Sequence, residues 1–436
     1  MKLGGNWNNG SGDGLFAFNS NNTSSNANTN NGGRLLNCKD NIDICVAFSL
    51  PLGKNIAYSE RGLVSRKDLK DPKSKQGEGV KRKGFIFEKM CSLETIREAI
   101  KSASKGKRSR TEVQRVLADV EGHALQIQKM LVDRSFTVSP YIVSERYDHH
   151  SKKTRLIQRP KFFPDQIIHW IVVISLKDVL MRGMYFWNCG SVPDRGSRHG
   201  RFGVQYWMAK DRKNTKYALQ IDIKKFYDSI PHDKFMVLMR RKIKDEKALW
   251  LIQSIIDSVP SGIPIGNYTS QWFANFYLEG LDHYIKEELH VEHYVRYIDD
   301  LVLFGRNKKV LHKLRIKLFD YIENRLSLKV KDNWQLFRIK ARGLNFLGYV
   351  FFHTHTKLRA RNFLAFTRQC RRARKRIDAG KRISFRQAAG LISRVGQLKH
   401  CNGQTIRNRY YVPIKERKLK EVIRYESKRK LQAKRS

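Results

Sequence analysis

The chain has 436 residues, enough for one large enzyme of several subdomains with a substantial core. Its 86 Lys and Arg face 40 Asp and Glu, and the resulting charge of +46 implies a polyanionic partner bound mainly through phosphate contacts. No secretory apolar region and no run of about 18 apolar residues occurs, so neither export nor a membrane span is expected; Cys38, Cys45, Cys91, Cys189, Cys370 and Cys401 lack C-x-x-C spacing and read as reduced cytosolic thiols, not as a zinc or disulfide framework.

In chain order, residues 1–37 form an Asn-rich low-complexity arm, with Asn at 6, 8, 9, 19, 21, 22, 26, 28, 30, 31 and 37 and neither a helical nor a strand period. Residues 38–84 are a basic N-terminal extension whose Gly-punctuated stretch 53–84 reads as a linker or an RNA-contacting segment. Ser92 is placed to cap a helix with Leu93, Ile96 and Ile100 on one face. KKTRLIQRP (152–160) is rich in cations, and FPDQIIHWIVVISLKDVL, from Phe163, reads as an apolar core helix. His149 and His150 read as loop residues.

YALQIDIKKFYD (217–228) is an apolar strand with one acid, Asp222, followed by Phe226 and Tyr227. GIPIGNYTSQWFANFYL (262–278) is a Gly/Pro loop opening into an amphipathic helix, with Trp272, Phe273, Phe276 and Tyr277 at helical spacing. YVRYIDDLVLF (294–304) reads as two short strands with Asp299 and Asp300 at the turn. GLNFLGYVFF (343–352) is a turn and strand, after which His353 and His355 flank Thr354 in an expected strand. Residues 357–436 carry 26 Lys and Arg against 4 acids, with helical stretches such as FRQAAGLISRVGQL, from Phe385.

Adjacent carboxylates repel each other, and burying them calls for a cation. One acid on a strand and two on a distant hairpin can converge on two metal ions, the arrangement that two-metal phosphoryl transfer requires. Three unrelated strand-end acids, or a solvated turn between edge strands, would give the same letters.

The order strand-Asp, G-x-x-x-S loop before a helix, then Y-x-D-D resembles the palm of reverse transcriptases, over about residues 85–410. The resemblance implies an α/β (α+β) right-hand polymerase, with fingers and palm of antiparallel sheet plus helices over 85–350 and a basic helical thumb and tail over 351–436. It makes Asp222, Asp299 and Asp300 the catalytic ligands of two Mg²⁺ ions, with the Ile223 carbonyl as an extra ligand. Tyr227 matches the steric gate that favours dNTPs, a role compatible with a core aromatic. Arg155, with Lys153 second, matches the cation on the triphosphate, although either is also what an ordinary solvated strand carries. Phe346, Leu347 and Gly348 match the primer grip.

Ile265-Gly266 and Ser270-Gln271 stand where most relatives carry Gln-Gly and Ser-Pro, and this pattern resembles diversity-generating retroelement reverse transcriptases. Those enzymes copy a template RNA with frequent errors opposite adenine. An apolar Ile265 gives contact without the polar check that rejects misfits, although it is also an ordinary packing residue. Asn codons cannot become stops when their adenines are randomised, so the arm at 1–37 fits a translated template repeat; a plain disordered arm has the same composition. The resemblance implies template RNA, the cDNA–RNA duplex and dNTPs as ligands. It also implies an accessory variability protein (a small basic helical oligomer) and a cytoplasmic, bacterial or phage setting. A retron or group II intron-like polymerase and a maturase-like RNA-binding scaffold are the alternatives.

Overall fold

In the computed structural model of the chain, the described residues are 46–48, 56–58, 82–148 and 153–432. The arm at 1–37, His149 and His150 lie outside them. The segment Asn21–Lys81 is a unit of its own, in which β1 (Val46–Phe48) and β2 (Ile56–Tyr58) pair antiparallel.

The second unit begins with helices α1 (Ile86–Cys91), α2 (Leu93–Ser104), α3 (Thr111–Ala118) and α4 (Val120–Val132). Ser92 caps α2 by accepting from the Thr95 amide at 3.2 Å, as its position predicts. A hairpin of β3 (Ile142–Asp148) and β4 (Lys153–Arg159) follows. The apolar helix α5 runs Ile167–Arg182 and does not start at Phe163: Phe163 is extended (φ −110°, ψ 131°), as a residue before proline prefers. Next come α6 (Ser197–Lys210), β5 (Tyr217–Lys224), α7 (His232–Lys242), α8 (Glu246–Ile256), α9 (Tyr268–Tyr277) and α10 (Glu279–His283). The chain continues with β6 (Tyr294–Tyr297), β7 (Asp300–Gly305), α11 (Lys308–Asp320), β8 (Lys329–Val330), β9 (Gln335–Arg338) and α12 (Ile339–Arg342). Strands β10 (Leu344–Phe346), β11 (Tyr349–Phe351) and β12 (Thr356–Leu358) form a second sheet, followed by α13 (Ala360–Asp378), α14 (Phe385–Leu398), α15 (Gln404–Ile406) and α16 (Glu416–Gln432).

The central sheet has the order β6-β7-β5-β8, with β9 also paired to β5. Alternation along its strands sends side chains to two different cores. Leu219, Ile221, Ile223, Leu301 and Leu303 point into a core built with the helices that precede and follow the sheet. Ala218, Val295, Val302 and Phe304 point the other way, against α6, the second sheet and the C-terminal helices. His353 and His355 lie in the turn between β11 and β12, not in a strand; His353 Nε2 is 3.0 Å from the Thr215 carbonyl and His355 stacks on Phe352. The turn is needed because Phe352 and His355 close it by a backbone hydrogen bond of 2.8 Å. Among the described residues no helix is long and apolar enough to cross a membrane.

Candidate active site

The antiparallel register of β5 and β7 sets Asp222 opposite Asp300, and Asp299 occupies the two-residue turn Ile298–Asp299 between β6 and β7. Asp222 and Asp300 share the face of Ala218 and Val302, so they project from the sheet on its α6 side. The turn adopts a conformation that its sequence disfavours. Ile298, a β-branched residue, has φ 57°, in the left-handed region.

Tertiary contacts impose that shape. A Cβ at Gly190 would sit 2.4 Å from Ile298 Cγ1, so only glycine allows residues 188–190 to lie against the turn. From the other side Arg296 donates to the Ile298 carbonyl at 3.0 Å. Arg296 is fully buried and pairs with the equally buried Asp282, its Nε 2.7 Å from Oδ1 and its Nη2 2.5 Å from Oδ2. Tyr294 donates to Asp282 at 2.8 Å, Arg296 donates to Asn275 Oδ1 at 3.0 Å, and Asn275 donates to the Gly190 carbonyl at 2.7 Å. Every polar arm of the ion pair is thus engaged, the condition under which a buried pair is tolerated.

Without cations the acids resist ionisation. Burial first, then the Asp222 charge, raises Asp299 to about 6. Burial raises Asp300 to about 7, with the charges of Asp222 and Asp299 adding to it against an opposing hydrogen bond from Gln220. Two side chains answer this charge. Lys331 Nζ lies 2.5 Å from Asp222 Oδ1, and its amide donates to the Asp222 carbonyl at 2.9 Å. Gln220 Nε2 donates to Asp300 Oδ1 at 3.3 Å and to the Asn345 carbonyl at 3.2 Å, tying the acid to β10.

The other residues singled out in the sequence fall around these acids. Ile223 is buried beside Asp222 on β5, and its amide donates to the Asp299 carbonyl at 3.4 Å. The Tyr227 hydroxyl is buried without a partner, and burial followed by the Asp299 charge raises its pKa. The Tyr227 carbonyl accepts from the Ile263 amide at 2.7 Å, which seats the 262–267 loop against it. In that loop the Ile265 carbonyl accepts from the Gln158 amide of β4 at 3.0 Å. Gly266 has φ 140°, and a Cβ there would lie 2.1 Å from the Gln158 carbonyl. Strand β4, which carries Lys153 and Arg155, is thereby docked on the loop; those two side chains lie outside what the structure describes. Gln271 is buried with Nε2 unpartnered, one helical turn before Asn275. Leu347 (φ 48°) and Gly348 (φ 86°) make the tight turn between Phe346 and Tyr349, and the Gly348 carbonyl accepts from the Arg359 amide at 3.0 Å.

Sequence reading did not find Gly190, Asn275, Asp282, Arg296, Gln220 or Lys331. One signal was present: an arginine in the middle of the apolar strand YVRY needs a buried acid. The separate group Asp211, Glu292 and His293 brings its ligand atoms within 4.8 Å at the far end of the β6–β7 hairpin, where His293 Nε2 pairs with Asp211 at 2.8 Å.

A sheet presenting acids from a central strand and an adjacent hairpin turn, with a β-hairpin and helices before it and a basic helical segment after it, is the fold of a right-hand polymerase. Residues 149–351 match the family described as reverse transcriptase (RNA-dependent DNA polymerase). It is 31% identical over 138 residues to the retron Ec73 reverse transcriptase of Escherichia coli, covering 29% of this chain and 43% of that protein. It is 34% identical over 84 residues to an uncharacterized 91 kDa protein in the cob intron of Schizosaccharomyces pombe, covering 17% of this chain and 10% of that one. The chain therefore spans less than half the length of both relatives. Apo telomerase from Candida tropicalis aligns with TM-score 0.38 at 12% identity, over 50% of this chain and 48% of that chain. Telomerase from Candida albicans in complex with a fragment of telomeric RNA aligns with TM-score 0.39 at 12% identity, over 53% and 50%.

Proposed function

We propose that the chain is an RNA-directed DNA polymerase and, within that class, the error-prone polymerase of a diversity-generating retroelement. The observation that carries the polymerase reading is Asp222 opposite Asp300 with Asp299 in the adjoining turn, acids whose protons are held near neutrality when no cation is close. Three hard oxygen donors with that tendency suit divalent ions, which this family generally uses, and in this reading they are two Mg²⁺ held by Asp222, Asp299, Asp300 and the Ile223 carbonyl. Bound there, such ions supply charge neutralisation at the attacking hydroxyl and the leaving pyrophosphate.

The protein's own groups do the rest. Arg155, with Lys153 as the alternative, grips the triphosphate. Tyr227 packs beneath the sugar and excludes a 2′-hydroxyl. Ile265, Gly266 and Gln271 line the nascent pair. Phe346, Leu347 and Gly348 hold the primer end. Residues 85–350 act as fingers and palm, and the basic segment 351–436 acts as a thumb on the RNA–cDNA duplex. The finer reading rests on Ile265 and Gln271 standing where polar-checking relatives carry other residues, and on the Asn-rich composition of 1–37, which we read as a translated template repeat. An accessory variability protein is the partner this reading requires, and a bacterial or phage host its setting.

Asp222→Asn or Asp299→Asn is expected to lower Mg²⁺-dependent dNTP incorporation on an RNA template roughly a thousandfold, the several kcal/mol that bound metal supplies. RNA affinity should change little, because the net charge of +46 provides it. A variant that still polymerises sinks the two-metal assignment. The similarity to the retron Ec73 enzyme favours a second reading, a retron-like polymerase. Sequenced cDNA separates the two: errors concentrated opposite template adenines belong to the first, evenly spread errors to the second.

A further inference from the structure

Helix α6 lies on the same face of the central sheet as the acids, beside the Leu347–Gly348 turn. A Cβ at Gly200 would meet Leu347 Cδ1 at 2.9 Å. The inner side of α6 is fixed by Val204, Trp207 and Met208 in the core and by Arg201, which donates to the Tyr349 hydroxyl at 3.1 Å. Its outer side is unlike an ordinary solvated helix face. Phe202 is 48% exposed and stacks on Tyr206, with ring centres 6.1 Å apart and planes at 18°. One turn earlier His199 stacks on Trp187 at 4.5 Å and meets the edge of Phe186, which is 41% exposed. Arg195 covers the Phe186 ring at 5.5 Å, and Arg198 is exposed on the same side as Phe202.

We infer that this strip, from Phe186 through His199 and Phe202 to Tyr206, is a stacking platform for unpaired RNA bases, with the exposed Arg198 beside it for a phosphate. The inference rests on the polymerase reading. Its occupant follows from chemistry. Exposed aromatic rings flanked by arginines suit bases and backbone together. A protein carrying +46 attracts polyanions and repels basic peptides. The strand copied by an RNA-directed enzyme is single-stranded before it is copied.

The test uses the full-length protein and fluorescent single-stranded RNA and DNA 12-mers, with affinity measured by anisotropy across a salt series. Phe202→Ala and Phe186→Ala should each weaken RNA binding about five- to a hundredfold, the range for loss of one stacked base, without changing the salt slope. Phe202→Trp should restore it. Arg198→Gln should reduce the salt slope by about one. RNA bearing 4-thiouridine should crosslink to peptides containing Phe186 or Phe202. Wild-type affinity in both alanine variants, or crosslinks confined to other segments, overturns the proposal. Tighter, equally strip-dependent binding of the DNA 12-mer overturns RNA as the occupant. Failure of the polymerase reading would show in the Asp299→Asn comparison; failure of the platform would show in binding alone.

Discussion

Ile265 sits half-buried at a junction, its carbonyl tied to Gln158 of β4 and its neighbour Gly266 pressed against the same strand. A glutamine side chain there would add a polar group that bonds a correctly placed pair and stays unsatisfied against a displaced one, a difference of roughly 1–3 kcal/mol. At about 1.4 kcal/mol per tenfold, Ile265→Gln should cut misincorporation opposite template adenine roughly ten- to a hundredfold while lowering total synthesis less. Sequencing cDNA made by both enzymes from one RNA measures it, and equal adenine error rates would place the fidelity determinant elsewhere. A second residue has its effect through pH. His169 is fully buried with neither ring nitrogen partnered, and burial, followed by the Lys107 charge, lowers its pKa to about 3. Its ordinary value is 6.5, so as pH falls below 6.5 the unfolded chain takes up a proton that the folded chain refuses. Stability should fall by about 1.4 kcal/mol per pH unit from this group. Asp299 and Asp300, whose pKa values are raised, contribute with the opposite sign, so the informative quantity is the difference between wild type and His169→Leu in urea midpoints from pH 7 to 5. The variant should show the flatter acid limb.

At the scale of elements, the β6–β7 hairpin is held by the Arg296–Asp282 pair and its hydrogen bonds. Asp282→Asn leaves Arg296 buried without its counter-charge and should destabilise the protein by about 3–5 kcal/mol in urea unfolding. Asp282→Leu with Arg296→Met should recover most of that stability but not polymerisation, because the bond to the Ile298 carbonyl is gone. Full activity in the double variant would mean that this bond does not shape the acid turn. The same hairpin shows where sequence reading succeeds and where it stops. Alternation and turn chemistry locate strands, so Asp222 and Asp299 could be assigned to a strand and a hairpin turn from letters alone, whereas Asp300, expected at the turn, is the first residue of β7. The support beneath them could not, because Asn275 and Gly190 are 85 residues apart in the chain and no local period links them. The helix expected from Phe163 and the strand expected at His353–His355 differ from the structure for local reasons, a proline that extends its predecessor and a turn closed by Phe352. Gln220 was hidden for a different reason: an ordinary polar residue on a strand acquires its meaning only from the register that sets it beside Asp300.

For the whole molecule, charge governs affinity. The helices at the C-terminal end segregate it: α13 buries Phe366, Thr367, Cys370 and Ala373 and turns Arg371, Arg372, Arg374, Lys375 and Arg376 outward. Six to ten phosphate contacts would weaken binding of an RNA–DNA duplex roughly 10³- to 10⁵-fold between about 50 and 200 mM salt. Titrations over that range should show a steep linear loss in log–log form, and a flat line would remove the basic segment from the interface. The left-handed Ile298, locked by Gly190, has a consequence in time. A two-strand hairpin closes locally within microseconds, but this turn reaches its shape only after segments near residues 190, 275 and 282 have docked. The geometry of the acid turn is therefore expected to mature late as the polypeptide folds. In the polymerase reading, a newly made chain would attract polyanions by its charge before its acid turn is set.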